Sequence, residues 1–122
     1  MSVSIVEFEK ALLSLQEALN ELNREQHSQS SAFYKFVRDA AIQRFEYSIE
    51  IAWKVSAKVL GSKSTAAKPV VREMAQNQLI SDPNLWFDFI EGRNKTSHAY
   101  DEDIAVEVIK IATAFFPEAQ QL

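Results

Sequence analysis

The sequence predicts an all-α protein, a four- to five-helix up-and-down bundle. Three observations carry that expectation. Only two glycines and three prolines interrupt 122 residues, which leaves few places for sharp turns. Apolar residues recur at spacings of three and four over long stretches, the period of a helix face. Cap and stop residues stand where those stretches begin and end.

The first stretch contains Ile5, Phe8, Leu12, Leu15, Leu19 and Leu22, an apolar seam sustained for about 30 Å at helical rise. From Asn23 to Ser31 the chain turns polar and reads as a connection, and His27 within it receives no role. A second helix is expected from Ala32 to about Leu60, stopped by Gly61. Its apolar positions include Phe33, Phe36, Val37, Ala40, Ala41, Phe45, Ile49, Ala52, Trp53, Ser56 and Leu60, a stripe broad enough to meet several neighbours.

Residues 61–67 are small and polar and read as a loop. Pro69 suits the first turn of a third helix over Val70 to Leu79. Ser81-Asp82-Pro83 supplies a cap followed by proline at the first helical position, opening a fourth helix with Leu85, Trp86, Phe89 and Ile90 inward. Phe87 falls off that face and is a candidate partner surface. A final helix is expected from about Glu102 to Phe116, with Ile104, Val108, Ile111 and Phe115 at core spacing and Pro117 just past its end. No repeat or low-complexity tract divides the chain, so residues 1–122 read as one domain.

Composition narrows the function. With 47% hydrophobic and 25% charged residues the chain is of globular type. It holds no cysteine, so disulfide frameworks, thiolate metal sites and thiol nucleophiles are excluded. Neither a signal peptide nor a membrane span is read, and a cytoplasmic location is expected. The net charge of −4 argues against coating nucleic acid through a broad positive field, and favours a discrete pocket. Glycine-rich phosphate loops, nucleophile elbows and paired-aspartate nucleotidyl-transfer motifs are all missing.

Chemistry concentrates between Arg93 and Tyr100. The spacing Arg-x4-His-x-Tyr places a guanidinium, an imidazole and a phenol within eight positions. A guanidinium holds phosphate through paired hydrogen bonds, and an imidazole trades protons near neutral pH. On an unbroken helix Arg93 and His98 would diverge by roughly 140°. A break between Gly92 and Ser97 would let them converge. Asn94 and Ser97 add short polar groups beside the pair. Asp101, Glu102 and Asp103 can cap the last helix or fix the tautomer of His98. Both residues can also be plain solvated groups at a helix end.

A second polar ridge, Asp39, Gln43, Glu46 and Glu50, runs at spacings of four, three and four along the second helix. It reads first as a solvated face. Glu50 and Lys54 suit an i,i+4 ion pair. Two carboxylates without a histidine partner make a poor metal set, so no metal and no cofactor are expected.

Taken together, three segments resemble the nucleotidyltransferase substrate-binding proteins of the HEPN superfamily. They are Arg38-Asp39-Ala40-Ala41-Ile42-Gln43-Arg44-Phe45-Glu46-Tyr47 with Glu50 and Ala52-Trp53-Lys54; Val71-Arg72-Glu73-Met74-Ala75; and Leu85-Trp86 through Arg93-Asn94-Lys95-Thr96-Ser97-His98-Ala99-Tyr100-Asp101-Glu102. The resemblance implies similarity to HepT-like toxins of two-gene toxin–antitoxin modules, which are metal-independent ribonucleases. It assigns Arg93 and His98 to catalysis and makes Tyr100 the residue adenylylated by a minimal nucleotidyltransferase encoded next to it. It also implies a homodimer with the motif near the dimer cleft, acting on RNA or a nucleotide and not on a membrane. Asn94, Ser97, Asp39, Gln43, Glu46 and Glu50 would support the site or orient Arg93. The older family name implies instead a non-catalytic subunit that holds a substrate for the nucleotidyltransferase.

Overall fold

A computed structural model describes residues 4–25 and 31–122. His27 and most of the polar connection lie outside the described residues. The architecture is an all-α bundle. Among the described residues five α-helices follow in order: α1 (Ile5–Arg24), α2 (Ala32–Leu60), α3 (Ala67–Gln76), α4 (Pro83–Lys95) and α5 (Glu102–Gln120). A single 3-10 turn, Thr96–His98, separates α4 from α5.

The boundaries follow from local chemistry. The Ser4 hydroxyl accepts from Glu7 N, the Ser31 hydroxyl from Tyr34 N, and the Asp82 carboxylate from Leu85 N. Each satisfies a backbone donor that the first helical turn leaves free. Gly61 ends α2 at φ 65°, a left-handed conformation that glycine enters without a Cβ penalty.

Early residues of α1 lie beside late residues of α2: Phe8 and Leu12 share a hollow with Val55 and Ser56, while Glu17 and Glu21 face Val37 and Arg44. The two helices are therefore antiparallel. The chain of α5 runs with α2 instead. Its first residue, Glu102, meets Arg38, and Ala119 near its end meets the hollow beside Val55 and Val59. One apolar cluster joins all five helices, including Leu15, Phe45, Val70, Met74, Trp86, Phe89 and Phe115. Phe115 is edge-on to Phe45, Trp86 and Phe89 at centroid separations of 5.4 to 5.8 Å. Such pairs add about 0.5–1.5 kcal/mol each beyond simple burial.

Several expectations are corrected here. Ile5, Phe33 and Phe36 were expected on apolar stripes, yet they are 58%, 55% and 69% exposed. The stripe of α2 is wider than the arc its described neighbours cover. Helix α3 starts three residues earlier than expected, at Ala67. Pro69 remains in its first turn, where its missing N–H costs nothing. The helix stops at Gln76 because Gln78 turns left-handed (φ 63°) and Leu79 N bonds back to Met74 O at 2.9 Å.

Pro117 does not end α5. The helix continues to Gln120 and keeps Ala119 in the core. A proline forfeits one backbone bond, but its φ fits a helix. Gly92 breaks nothing either. It is buried inside α4, where a Cβ would stand 2.7 Å from Ile111 Cγ2. The absent side chain lets α4 approach α5. Phe87 is half-buried, and Arg72 of α3 lies over its ring at 5.6 Å.

Candidate functional site

The motif occupies the place where α4 gives way to α5. Arg93 sits in the last turn of α4, and its side chain turns toward α2. There Nη1 lies 3.6 Å from Glu46 Oε2, and Nε lies 3.4 Å from Glu50 Oε1. Glu50 also pairs with Lys54 at 3.4 Å, as their i,i+4 spacing predicts. Neither contact is a hydrogen bond, and the buried Nε has no hydrogen-bond partner, so the guanidinium is paired by charge and its donors are not saturated.

Thr96 closes the helix. Its Oγ1 lies 2.8 Å from Arg93 O and 2.5 Å from Glu46 Oε2, with one proton to donate between them. This bond ties the helix end to the carboxylate that also faces Arg93. The following 3-10 turn carries His98 outward, with Asp101 N bonded to His98 O at 3.1 Å. The His98 ring is exposed and stands nearly perpendicular to Tyr100, centroids 6.2 Å apart. Tyr100 is 84% exposed. The helix break expected between Gly92 and Ser97 falls at Thr96, where α4 gives way to the 3-10 turn.

The acidic run after Tyr100 has fixed tasks. Asp101 caps α5, accepting from Asp103 N at 2.9 Å and Ile104 N at 3.3 Å. Glu102 takes Arg38 in a forked pair, at 2.7 Å to Nη1 and 3.3 Å to Nη2. Lys35 approaches the same carboxylate at 3.6 Å. Among the described residues no carboxylate bonds to His98, so these acids cap and latch α5 and do not set its tautomer. The forked bond raises the Arg38 guanidinium above its ordinary range and holds the Glu102 carboxyl below its own.

Of the proposed site residues, Arg93, Glu46 and Glu50 form one contact group. Asp39, Gln43, Glu46 and Tyr100 line a common hollow. Asn94 and Ser97 are exposed and hydrogen-bond neither Arg93 nor His98. Two participants, Thr96 and Arg38, were given no role in the sequence reading. Thr96 lay inside the motif. Arg38 left a clearer signal: it precedes Ile42 by four and Phe45 by seven, on the buried face, and is 5% exposed. A charge at a core position asks for a partner. Among the described residues no group of three or more His, Cys, Asp or Glu is placed to hold a metal ion. Nor is any described helix long and apolar enough to cross a membrane.

Fold and site define a helical-bundle protein that displays Arg-x4-His-x-Tyr at a helix-ending turn. The family model described as "nucleotidyltransferase substrate binding protein like" matches residues 4–122, and the chain belongs to that family. It is 30% identical over 90 residues to the probable ribonuclease HepT of Haemophilus influenzae. That match covers 67% of this chain and 62% of the relative's length, so less than two thirds of the relative is spanned. The fold is also that of HI0074 from Haemophilus influenzae, described as the fold of a substrate binding domain of a nucleotidyltransferase. There the TM-score is 0.86 at 23% identity, over 98% of this chain and 96% of the other.

Proposed function

We propose that this chain is a HepT-like endoribonuclease toxin that acts as a homodimer without a metal. A minimal nucleotidyltransferase encoded beside it would neutralise it by adenylylating Tyr100. The observation that carries the reading is the pairing at the α4 end. Arg93 is held by Glu46 and Glu50 through ion pairs without a hydrogen bond at Nε, and His98 is exposed on the next turn. The likeness to a probable ribonuclease supports it.

The chemistry follows from those two groups. His98 takes the proton of an RNA 2′-hydroxyl, and the freed oxygen attacks the adjacent phosphorus. Arg93 stabilises the charge that gathers on the phosphate oxygens. The bond to the 5′ oxygen breaks, and that oxygen receives a proton from an acid. The products are a 2′,3′-cyclic phosphate and a free 5′-hydroxyl. One chain offers one motif histidine where a base and an acid are both needed, so the second copy supplies the acid. Tyr100 is open to a modifying enzyme, and a nucleotide attached there would set bulk and negative charge beside His98.

A second reading has its own support. Two carboxylates already offset the Arg93 charge, which suits a subunit that holds a nucleotide for a nucleotidyltransferase without cleaving it. The described relation of HI0074 to such an enzyme favours the same view. Growth after induced expression separates the two. Wild-type chain alone should arrest growth and cleave RNA, and co-expression of the adjacent nucleotidyltransferase should relieve the arrest. His98→Ala should abolish arrest and cleavage while the helical circular dichroism spectrum is unchanged. Soluble wild-type protein that leaves growth unaffected would instead support the substrate-binding subunit. Cleavage retained by His98→Ala would remove His98 from catalysis.

A further inference from the structure

The polar ridge of α2 divides into two pairs with different surroundings. Glu46 and Glu50 are engaged by Arg93, Thr96 and Lys54. Asp39 and Gln43 stay exposed, and they line a hollow of about 290 Å³ with the start of the motif turn. Ile42 and Ala99 give this hollow an apolar lining, and Tyr100 gives it an aromatic one. Behind Asp39 lies the buried Arg38. Its Nε has no hydrogen-bond partner and stands 3.8 Å from Asp39 Oδ1, a fixed positive charge that orients the carboxylate.

We propose that this hollow reads a guanine base beside the cleaved phosphate, an inference that rests on the ribonuclease reading. A phosphate is disfavoured there, because Asp39 and Glu46 would both repel it. A flat base suits the lining, since exposed aromatic rings stack unpaired RNA bases and apolar groups accept the other face. The edge chemistry selects the base. The two oxygens of Asp39 accept from two adjacent donors, and guanine offers N1–H and N2–H2 side by side. Adenine and cytosine set one amino group beside a ring nitrogen that would face the carboxylate with its lone pair. Uracil sets its single N–H between two carbonyls. The Gln43 amide supplies the donor that guanine O6 needs. His98 lies two residues before Tyr100, so a base held against Tyr100 brings its own phosphate toward the imidazole.

The test uses the full chain on a pool of random-sequence RNA, with the cut ends sequenced. Wild type should enrich guanosine about tenfold at one fixed position beside the cut, the discrimination expected of one bidentate base contact. Asp39→Asn keeps the shape but exchanges one acceptor for a donor, and it should flatten that enrichment. Asp39 is exposed, so the variant should fold, which circular dichroism checks. Cuts without base preference, or a preference that Asp39→Asn leaves intact, overturn the inference while sparing the ribonuclease reading.

A wild-type chain that cuts no RNA overturns the ribonuclease reading, and nucleotide titration followed by NMR then decides the hollow alone. Binding of GMP at least about fivefold tighter than IMP or AMP, lost in Asp39→Asn and sensed at Ala99 and Tyr100, would sustain it, because IMP lacks only the N2 amino group. Equal binding of all three, or no binding, would overturn it.

Discussion

Arg38 and Glu102 show how one residue pair places a site. Arg38 is almost wholly buried on α2, whereas the Glu102 side chain at the start of α5 remains 56% exposed. Removing either partner breaks the same bond, but the consequences differ. Glu102→Gln leaves a buried guanidinium with its main counter-charge gone. Arg38→Met fills the same space with an apolar chain and leaves only a solvated carboxylate. Thermal unfolding at neutral pH should therefore rank Glu102→Gln below Arg38→Met; the reverse order would mean that the latch acts by some other route. The pH dependence has a definite sign. Because folding lowers the Glu102 pKa from its ordinary value of 4.5, its contribution is complete above that value and disappears as pH falls through the lower folded one. Acid titration of Tm should lose part of its slope in Glu102→Gln. The sequence made Arg93, His98 and Tyr100 visible because their spacing is local. The partnership of Arg38 with Glu102 spans 64 positions, and no periodicity reveals which buried charge meets which cap.

At the scale of elements, helix positions were legible and helix ends only partly so. Both ends of α2 and the start of α4 were read from the serines before Ala32, from Gly61, and from Asp82 and Pro83, because each acts within its own turn. Pro117 and Gly92 were misread as interruptions, because tertiary packing overrides their local cost at both places. Ala119 keeps the end of α5 on the core, and Ile111 occupies the space that the Gly92 side chain lacks. Gly92→Ala sets two effects against each other. Alanine favours the helix by about 1 kcal/mol, while forcing a methyl group into a packed contact costs about 1–3 kcal/mol. The clash involves Cγ2 of a β-branched side chain, which has little freedom to turn aside. Gly92→Ala should therefore destabilise the protein by up to about 2 kcal/mol in urea unfolding. In an Ile111→Ala background most of that cost should vanish, since the two nearest atoms are removed and only the position-111 Cβ remains, at 3.3 Å. A cost that persists in that background would place the strain in the helix and not in the α4–α5 contact.

At the scale of the whole molecule, the ribonuclease reading demands more than one chain holds. His98 is the motif's only imidazole, and strand cleavage needs a base on one side of the phosphorus and an acid on the other. A two-fold dimer supplies both from identical positions, because a symmetric interface brings the same patch of each copy together. This makes subunit mixing informative in a way that a single variant is not. His98→Ala chains denatured and refolded with an equal amount of wild type should give one wild-type homodimer for every two mixed dimers and one mutant homodimer. If cleavage needs both histidines, activity per total dimer should fall to roughly a quarter of wild type. If each copy works alone, it should fall only to about a half. A tagged His98→Ala chain used to isolate the mixed dimer would sharpen the contrast, since that species should then be inactive. Half-activity in the purified mixed dimer would assign base and acid to one protomer, with water or another side chain donating the second proton. The same preparation, run on a sizing column with light scattering, reads the oligomeric state directly, and a monomer that cleaves RNA at full rate would remove the need for a partner copy.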